Sequence, residues 1–164
     1  MTDGRETSAP DDNARRGELT ALGYAGLLPF FAAAIGVWTE PSAGLAAPAR
    51  ALAIAYGAII TAYMAGIGAG GLILGRAPTR EALLSGMIAT LVAAAAAWPT
   101  LPFGILLPTS ARAGMLIAAL IYLLLRDRRA ARAGGLPAWY PALRVRLTTG
   151  ASLSLLAVGI QSII

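Results

Sequence analysis

Long runs without a charged residue alternate with short charged segments along this chain of 164 residues. A helix that crosses a bilayer needs about 20 consecutive apolar residues, so the length of each uncharged run decides its assignment. The spacing predicts membrane-spanning helices at about residues 19–39, 51–75, 82–98, 109–125 and 147–164. The chain is therefore predicted to be an all-α, polytopic integral membrane protein with five transmembrane helices.

Prolines mark the irregular points of these runs. Pro29 lies in the middle of the first run and predicts a kink, because its ring blocks one backbone hydrogen bond. The uncharged stretch 82–111 is too long for one span at about 1.5 Å per residue, and three prolines interrupt it. The third span therefore ends near residue 98, or it continues to about residue 107 as a kinked or re-entrant segment.

The first 18 residues differ from the rest of the chain. They are polar, mixed in charge and almost free of large apolar side chains. Such a segment cannot bury enough surface to offset the entropy lost on ordering. The sequence predicts a disordered cytoplasmic tail over 1–18 and a single helical domain over 19–164.

The thirteen basic residues, all arginines, are unevenly distributed among the segments that flank the five predicted spans. Eleven fall in the N-terminal tail, the loop after the second span and the loop after the fourth, which share one side of a five-span protein. Arg50 and Arg112 fall on the other side. Because cytoplasmic loops carry the excess of positive charge, this split predicts a cytoplasmic N-terminus and a C-terminus outside.

The composition supports a membrane location and removes most catalytic chemistry. Hydrophobic residues make up 57% of the chain and charged residues 13%, against about 45–50% and about 25% in soluble domains. The chain has no Lys, His or Cys, so it lacks an imidazole base, a Schiff-base amine and a thiolate. We therefore predict a protein that is not an enzyme and that binds no metal or cofactor.

Small residues recur every four positions in the second span. Ala58, Ala62, Gly66 and Gly70 form this stripe. Small side chains let helix backbones approach closely in a membrane, so the stripe predicts helix packing. A backbone-lined pore or ligand groove is the alternative.

Four polar side chains form a candidate polar pocket. Tyr56 and Tyr63 are seven residues apart and share a helix face, and Thr61 lies on the same span. Arg112 is the charge that can lie at membrane depth, where an ionisable group is a candidate functional residue. As alternatives, the hydroxyls can bond to backbone or neighbouring helices, and Arg112 can extend to the interface from a helix end.

The predicted loop 126–146 carries six arginines and one acid, Asp127. Such a cluster can bind anionic lipid headgroups, or it can serve only to fix topology. Asp127 can also close the loop through a salt bridge to Arg144 or Arg146. The six arginines are Arg126, Arg128, Arg129, Arg132, Arg144 and Arg146.

Aromatic residues within this loop predict its position in the membrane. Trp139 and Tyr140 are adjacent and stand before the fifth span, which is typical of an anchor at the membrane interface. The basic residues flank membrane spans and are not interleaved with exposed aromatics, so the sequence predicts no nucleic-acid partner.

Several stretches together resemble a known family. They are Leu22–Phe30, Ala55–Ile60, Leu136–Tyr140 and Leu143–Thr148. Their order resembles the bacterial membrane family called domain of unknown function 3429 (DUF3429), related to eukaryotic transmembrane protein 69. The resemblance implies a multi-span helical protein of uncharacterised activity.

One departure from the family pattern lies in the second span. Relatives tend to carry a Gly-Gly-x-His-Trp-Gly-like run there, and the matching stretch in this chain is Ala65–Gly70. Gly68 and Ala69 stand where the polar and aromatic side chains would be. The resemblance implies that any activity carried by those side chains is absent or altered in this member.

These patterns predict a multi-pass protein of the bacterial inner membrane that acts as a scaffold or accessory subunit. It would act through helix packing and contact with anionic lipids of the bilayer. A membrane-protein partner and a second copy of the chain both remain open. The alternative is a small transporter or channel subunit, whose sign would be a water-filled cavity lined by Tyr56, Thr61, Tyr63 and Arg112.

Overall fold

The computed structural model describes residues 12–39, 44–75, 80–101, 104–134, 136 and 139–164. This part of the chain forms six helices and one pair of short strands. In chain order they are α1 Asp12–Ala25, α2 Leu28–Thr39, α3 Ala46–Gly75, α4 Arg80–Ala97, β1 Thr100–Leu101, β2 Ile105–Leu106, α5 Thr109–Arg132 and α6 Tyr140–Gln161.

Four helical segments of the described chain are long and apolar enough to cross a membrane. They are Arg16–Thr39, Ala46–Ile67, Thr109–Arg132 and Tyr140–Gln161. The apolar part of α4, Leu83–Ala97, is shorter. The architecture is therefore that of an all-α, multi-pass membrane protein, as the charge spacing predicts.

The first apolar segment is two helices with a break. α1 ends at Ala25 and α2 begins at Leu28, and the Leu27 N–H donates to the Tyr24 carbonyl at 2.9 Å. Pro29 has no N–H to offer to the turn before it, so a continuous hydrogen-bond ladder cannot form there. The break lies where Pro29 predicts a kink.

α1 begins earlier than the sequence predicts. Its first residue is Asp12, inside the segment predicted to be a disordered tail, and residues 1–11 lie outside the described residues. Ala14, Arg15 and Glu18 are good helix formers, and the continuous apolar helix after them provides a nucleus from which the helix extends.

The predicted loop 126–146 is mostly helical, which corrects two span boundaries. α5 continues to Arg132 rather than ending at residue 125, and α6 begins at Tyr140 rather than at residue 147. Arginine and alanine favour helix, and basic side chains in a last turn are stabilised by the helix dipole. Gly134, at φ 73°, follows the end of α5 and adopts the left-handed conformation that commonly terminates a helix.

The segment between α4 and α5 is a hairpin rather than an extension of the third span. α4 ends at Ala97, so the helix of the third span does not continue to residue 107. Thr100 pairs with Leu106 and Leu101 pairs with Ile105 in antiparallel register.

The hydrophobic core lies between the helices at residues spaced by the helical period. On α2 the buried residues are Phe30, Ala33 and Val37, and on α5 they include Leu116 and Leu120. Small alanines fill most of the core positions of α3 and α4, which lets these two helices pack closely. Large apolar side chains cover the outer faces, as expected where lipid replaces water.

The helices α1, α2, α4 and α6 run in one direction and α3 and α5 in the opposite one, and this gives the bundle two chemically different ends. The basic end contains the beginnings of α1 and α6 and the end of α5, where Arg16 and Arg146 line a common groove. The opposite end contains the end of α6 and the beginning of α3, joined by a hydrogen bond of 2.9 Å from Arg50 Nε to Gln161 Oε1. We call the latter the sparse end, because it holds few charges.

Candidate functional site

A buried ion cluster joins the end of α5 to the beginning of α6. Arg144 Nε donates to Asp127 Oδ2 at 2.9 Å, and Arg126 Nη2 donates to Asp127 Oδ1 at 3.2 Å. Asp127 is 5% exposed and Arg144 3% exposed. Two guanidinium groups therefore face one carboxylate, and the cluster carries one formal positive charge in excess.

The helical period places these charges inside the bundle. On α6, Arg144 continues the buried face formed by Thr148, Ala151 and Leu155, at spacings of three or four residues. Arg146 lies off this face and is exposed. Of the two partners proposed for Asp127 from the sequence, Arg144 forms the salt bridge.

Met64 on α3 contacts both arginines of the cluster, and sequence reasoning missed it. Arg144 Nη1 donates to Met64 Sδ at 2.7 Å, and Arg126 Nη2 approaches the Met64 carbonyl oxygen at 3.5 Å. A Cβ placed on Gly86 of α4 would lie 3.3 Å from the Ala65 carbonyl oxygen and 3.8 Å from Arg126 Nη1. The cluster therefore sits where α3, α4, α5 and α6 meet.

Four buried polar atoms have no hydrogen-bond partner among the described residues. They are Arg126 Nη1, Arg144 Nη2, Thr148 Oγ1 and Ser152 Oγ. Leaving a buried polar group unpaired costs about 1–3 kcal/mol, and more when the group is charged. Arg144 and Thr148, which carry two of these atoms, line the same groove.

This groove, which we call the α1–α6 groove, runs between α1, α2, α3 and α6 and has a volume of about 410 Å³. Its polar lining comes from Tyr63, Tyr140, Arg144 and Thr148. Most of its wall is apolar and includes Leu19, Leu22, Leu27, Phe30, Ile60 and Leu147. Leu22 and Tyr63 are more than half exposed, so the groove opens to the outside of the bundle.

A second, shallower groove of about 570 Å³ lies at the basic end. Arg16, Tyr24, Trp139 and Arg146 line it, between the beginnings of α1 and α6. The rings of Trp139 and Tyr140 meet edge to face with centroids 6.0 Å apart. These aromatic residues stand at the beginning of α6, the position at which the sequence predicts an interface anchor.

The four residues of the predicted polar pocket do not share one cavity. The Tyr56 hydroxyl donates to the Gly26 carbonyl at 3.0 Å, in the turn before Pro29. Thr61 is fully buried and donates to the Gly57 carbonyl of its own helix at 2.8 Å. Of the four, only Tyr63 lines either groove.

Arg112 lies at the sparse end and lines neither groove. Its Nε donates to the Ala96 carbonyl at 2.6 Å and its Nη2 to the Ala97 carbonyl at 2.8 Å. The last carbonyls of a helix have no partner within that helix, and Arg112 supplies one for α4. Along α5, Arg112 and Arg126 are separated by about 21 Å at 1.5 Å per residue.

The predicted small-residue stripe on α3 does not pack along its whole length. Ala58 is buried, but Gly66 is exposed, and a Cβ added at Gly66 or Gly70 would have no neighbour within 4 Å. Four residues turn an α-helix by about 40° more than one full turn, so a four-residue repeat rotates away from a fixed contact face. Within the described part of the chain, Gly66 and Gly70 therefore allow no close helix contact, and close packing of this stripe against another molecule stays a prediction.

Gly57 makes the close approach instead. A Cβ there would lie 3.0 Å from Leu116 Cδ1 and 3.4 Å from Leu155 Cδ2. Gly57 belongs to the face that also buries Ile54, Thr61 and Ala65, spaced by the true helical period.

The six arginines assigned to lipid contact or topology separate into two groups. Arg126 and Arg144 belong to the ion cluster. The other four, Arg128, Arg129, Arg132 and Arg146, are exposed at the basic end. The structure includes Gly68 and Ala69 in α3, but their side chains lie outside the described part, so the family departure there has no structural account.

Comparison with known proteins identifies one family. The family model described as "Protein of unknown function (DUF3429)" matches residues 16–160. No curated protein and no solved structure matches the chain. The matched range includes the ion cluster and both grooves.

Proposed function

Because the chain belongs to the DUF3429 family of proteins of unknown function, we propose its function from geometry: a non-enzymatic membrane scaffold or accessory subunit that contacts anionic lipids through its basic end. The observation that carries this proposal is the uneven placement of unpaired positive charge. Near an anionic membrane surface each such arginine contributes about 1 kcal/mol to lipid attraction.

The arginines of the two ends differ in what they bond to. At the sparse end, Arg50 is bonded to Gln161, and Arg112 is bonded to the carbonyls that end α4. At the basic end five arginines of the described residues are exposed, and they are Arg16, Arg128, Arg129, Arg132 and Arg146. Anionic headgroups would therefore gather around the basic end.

The path of α4 supports five membrane crossings. Gly86 lies beside Arg126 near the basic end, and Ala97 lies beside Arg112 at the sparse end, so α4 runs between the same two levels as α5. The eighteen residues of α4 extend about 27 Å, close to the hydrocarbon thickness of about 30 Å. Five crossings put the two termini on opposite sides of the membrane.

The arginine distribution supports a cytoplasmic basic end, with the N-terminus inside and the C-terminus outside. We place the protein in a bacterial inner membrane, since the family that the sequence resembles is bacterial and the composition combines abundant Ala, Gly and Arg with no Lys. A second copy of the chain and another membrane protein are both open as partners.

A transporter or channel subunit has less support. That function would need Tyr56, Thr61, Tyr63 and Arg112 around one aqueous cavity. Tyr56 and Thr61 instead bond to backbone carbonyls, and Arg112 caps α4 at the sparse end. We therefore favour the lipid-contacting scaffold.

Lipid enrichment around the purified protein tests this proposal. The protein is reconstituted in bilayer discs with equal amounts of phosphatidylglycerol and phosphatidylcholine, re-extracted, and its bound lipids are counted by mass spectrometry. We expect phosphatidylglycerol in excess, and at least a twofold smaller excess when Arg128, Arg129 and Arg132 are all replaced by Gln. Equal amounts of the two lipids on the unmodified protein would contradict the proposal.

A further inference from the structure

We propose that the α1–α6 groove binds one anionic phospholipid, whose phosphate is held by Arg144 and whose acyl chain lies along the apolar wall. This inference rests on the proposed lipid-contacting function and adds a single defined site to it. The site differs from the exposed arginines, because it is built from buried side chains.

The phosphate end of the site is defined by two unpaired polar atoms. Arg144 Nη2 and Thr148 Oγ1 have no hydrogen-bond partner among the described residues. Both residues line the groove, and they are 3% and 4% exposed. They are one helical turn apart on α6, so one phosphate group can accept hydrogen bonds from both.

The other two guanidinium nitrogens of Arg144 already have hydrogen-bond partners, so Nη2 is the nitrogen left for a ligand. Asp127 accepts from Nε, and Met64 Sδ accepts from Nη1. Arg126 shares the same carboxylate, so one positive charge in the cluster is not balanced. A phosphodiester with one negative charge would balance it, whereas the added ammonium of a zwitterionic lipid would not.

The position of the groove suits a lipid that enters from the bilayer. Along α6 the groove extends from Trp139 to Ala151, about 18 Å at 1.5 Å per residue. Arg144 is near the basic end of this path, and side chains on a helix lean toward its N-terminus, which brings the guanidinium toward the headgroup level. The acyl chain would then run from Arg144 toward Phe30 and Ala151, deeper in the hydrocarbon.

The size and opening of the groove fit one acyl chain better than a folded peptide. Its volume of about 410 Å³ lies in the range of about 300–1,000 Å³ found for small-ligand sites. Leu22 and Tyr63 leave its side open, so a chain can enter laterally from the surrounding lipid.

Fluorescence quenching tests the site directly, because Trp139 lines the groove. Trp38 and Trp98, the other two tryptophans, are replaced by Phe so that Trp139 alone reports. The protein is reconstituted in phosphatidylcholine with increasing fractions of phosphatidylglycerol whose acyl chains are brominated near their glycerol ends, because Trp139 lies at the headgroup end of the groove. We expect saturable quenching that fits one lipid per protein, and brominated phosphatidylcholine to quench without saturation.

Substitutions on α6 identify the phosphate contact. Arg144→Gln should raise the lipid fraction at half-saturation at least fivefold, and Thr148→Val, which keeps the side-chain shape, should raise it about twofold. Thr149→Val is the matched control, since it removes an exposed hydroxyl from the same helix beside Thr148, and we expect less than a twofold change. Arg144→Gln leaves Asp127 paired with Arg126, so no unbalanced charge remains in the cluster, and circular dichroism in detergent checks that the variant is folded.

The outcomes separate this inference from the broader function. Saturable quenching that survives Arg144→Gln in a folded protein would overturn the groove site, and so would equal quenching by the two brominated lipids. If replacing Arg128, Arg129 and Arg132 by Gln abolishes lipid enrichment but leaves the saturable phase, the groove site stands without the surface proposal. If lipid enrichment depends on these three arginines but the unmodified protein shows no saturable phase, the surface proposal stands without the groove site.

Discussion

Arg144 Nε and Asp127 Oδ2 lie 2.9 Å apart across a sequence separation of 17 residues, and both side chains are buried. The pair fixes the beginning of α6 against the end of α5. Removing one partner of a buried ion pair is strongly destabilising, because it leaves the other charge buried without compensation.

Asp127→Asn should therefore reduce stability substantially. The amide keeps the shape of the carboxylate but leaves Arg126 and Arg144 as two buried cations. We expect the free energy of unfolding to fall by about 3–5 kcal/mol, measured by reversible unfolding in mixed detergent micelles. Arg128→Gln, one residue along α5 and exposed, is the control and should change it by less than about 0.5 kcal/mol. Equal stability of the two variants would show that the ion pair does not hold the helices together.

Two glycines of α3 should respond oppositely to alanine. At Gly57 the added methyl would meet Leu116 Cδ1 at 3.0 Å, and such overpacking costs about 1–3 kcal/mol. At Gly66 it would meet nothing within 4 Å, so alanine should stabilise the helix by up to about 1 kcal/mol. Thermal unfolding in detergent measures both, and a Gly66→Ala protein less stable than Gly57→Ala would contradict the packing described above.

Arg112→Gln should loosen the end of α4. The guanidinium donates to the Ala96 and Ala97 carbonyls, and hydrogen bonds from charged donors contribute about 1.5–3 kcal/mol. We expect the Trp98 amide, which bonds to the Ala94 carbonyl, to exchange with deuterium about tenfold faster. Arg132→Gln serves as the control at the opposite end of α5. Unchanged exchange at Trp98 would mean that Arg112 does not cap the helix.

The number of crossings is testable with a fluorescent reporter that folds only in the cytoplasm. With a cytoplasmic N-terminus, four crossings place Gly134 in the cytoplasm and the fifth places Ile164 outside. The reporter should therefore fluoresce when it is inserted after Gly134, between α5 and α6, and stay dark when it is fused after Ile164. Fluorescence after Ile164 together with none after Gly134 would reverse the orientation at the C-terminal end.

Much of the helical architecture follows from the spacing of charges, because lipid allows few charged side chains within a span. The same rule misplaced the end of α5. Arg126 and Asp127 ended the uncharged run, yet the helix continues through them, because they find partners inside the bundle. Residues Leu116, Leu120, Leu123 and Asp127 share one buried face, so extending the helical period past the first charge would have revealed the inward position of Asp127.

The candidate site was only partly predictable. A salt bridge between Asp127 and Arg144 follows from one acid lying near basic residues, but the role of Met64 depends on how α3 packs against two other helices. Arg112 lacks a partner acid within its span, so nothing local in the sequence shows that its partners are two backbone carbonyls of α4. A contact with the backbone of another helix cannot be predicted from the types of residues along the sequence.

The short hairpin of Thr100–Leu101 and Ile105–Leu106 limits where the protein can lie along the membrane normal. Each strand has one partner, so its outer edge presents N–H and C=O groups that hydrocarbon cannot satisfy. The hairpin must therefore remain among the headgroups, while Trp139 and Tyr140 favour the headgroups at the opposite face. Between them α6 extends about 33 Å over its twenty-two residues. Because both ends are held at the headgroups, the helices can adapt to a thinner bilayer by tilting. A mismatch in thickness would therefore change the tilt of all the helices together.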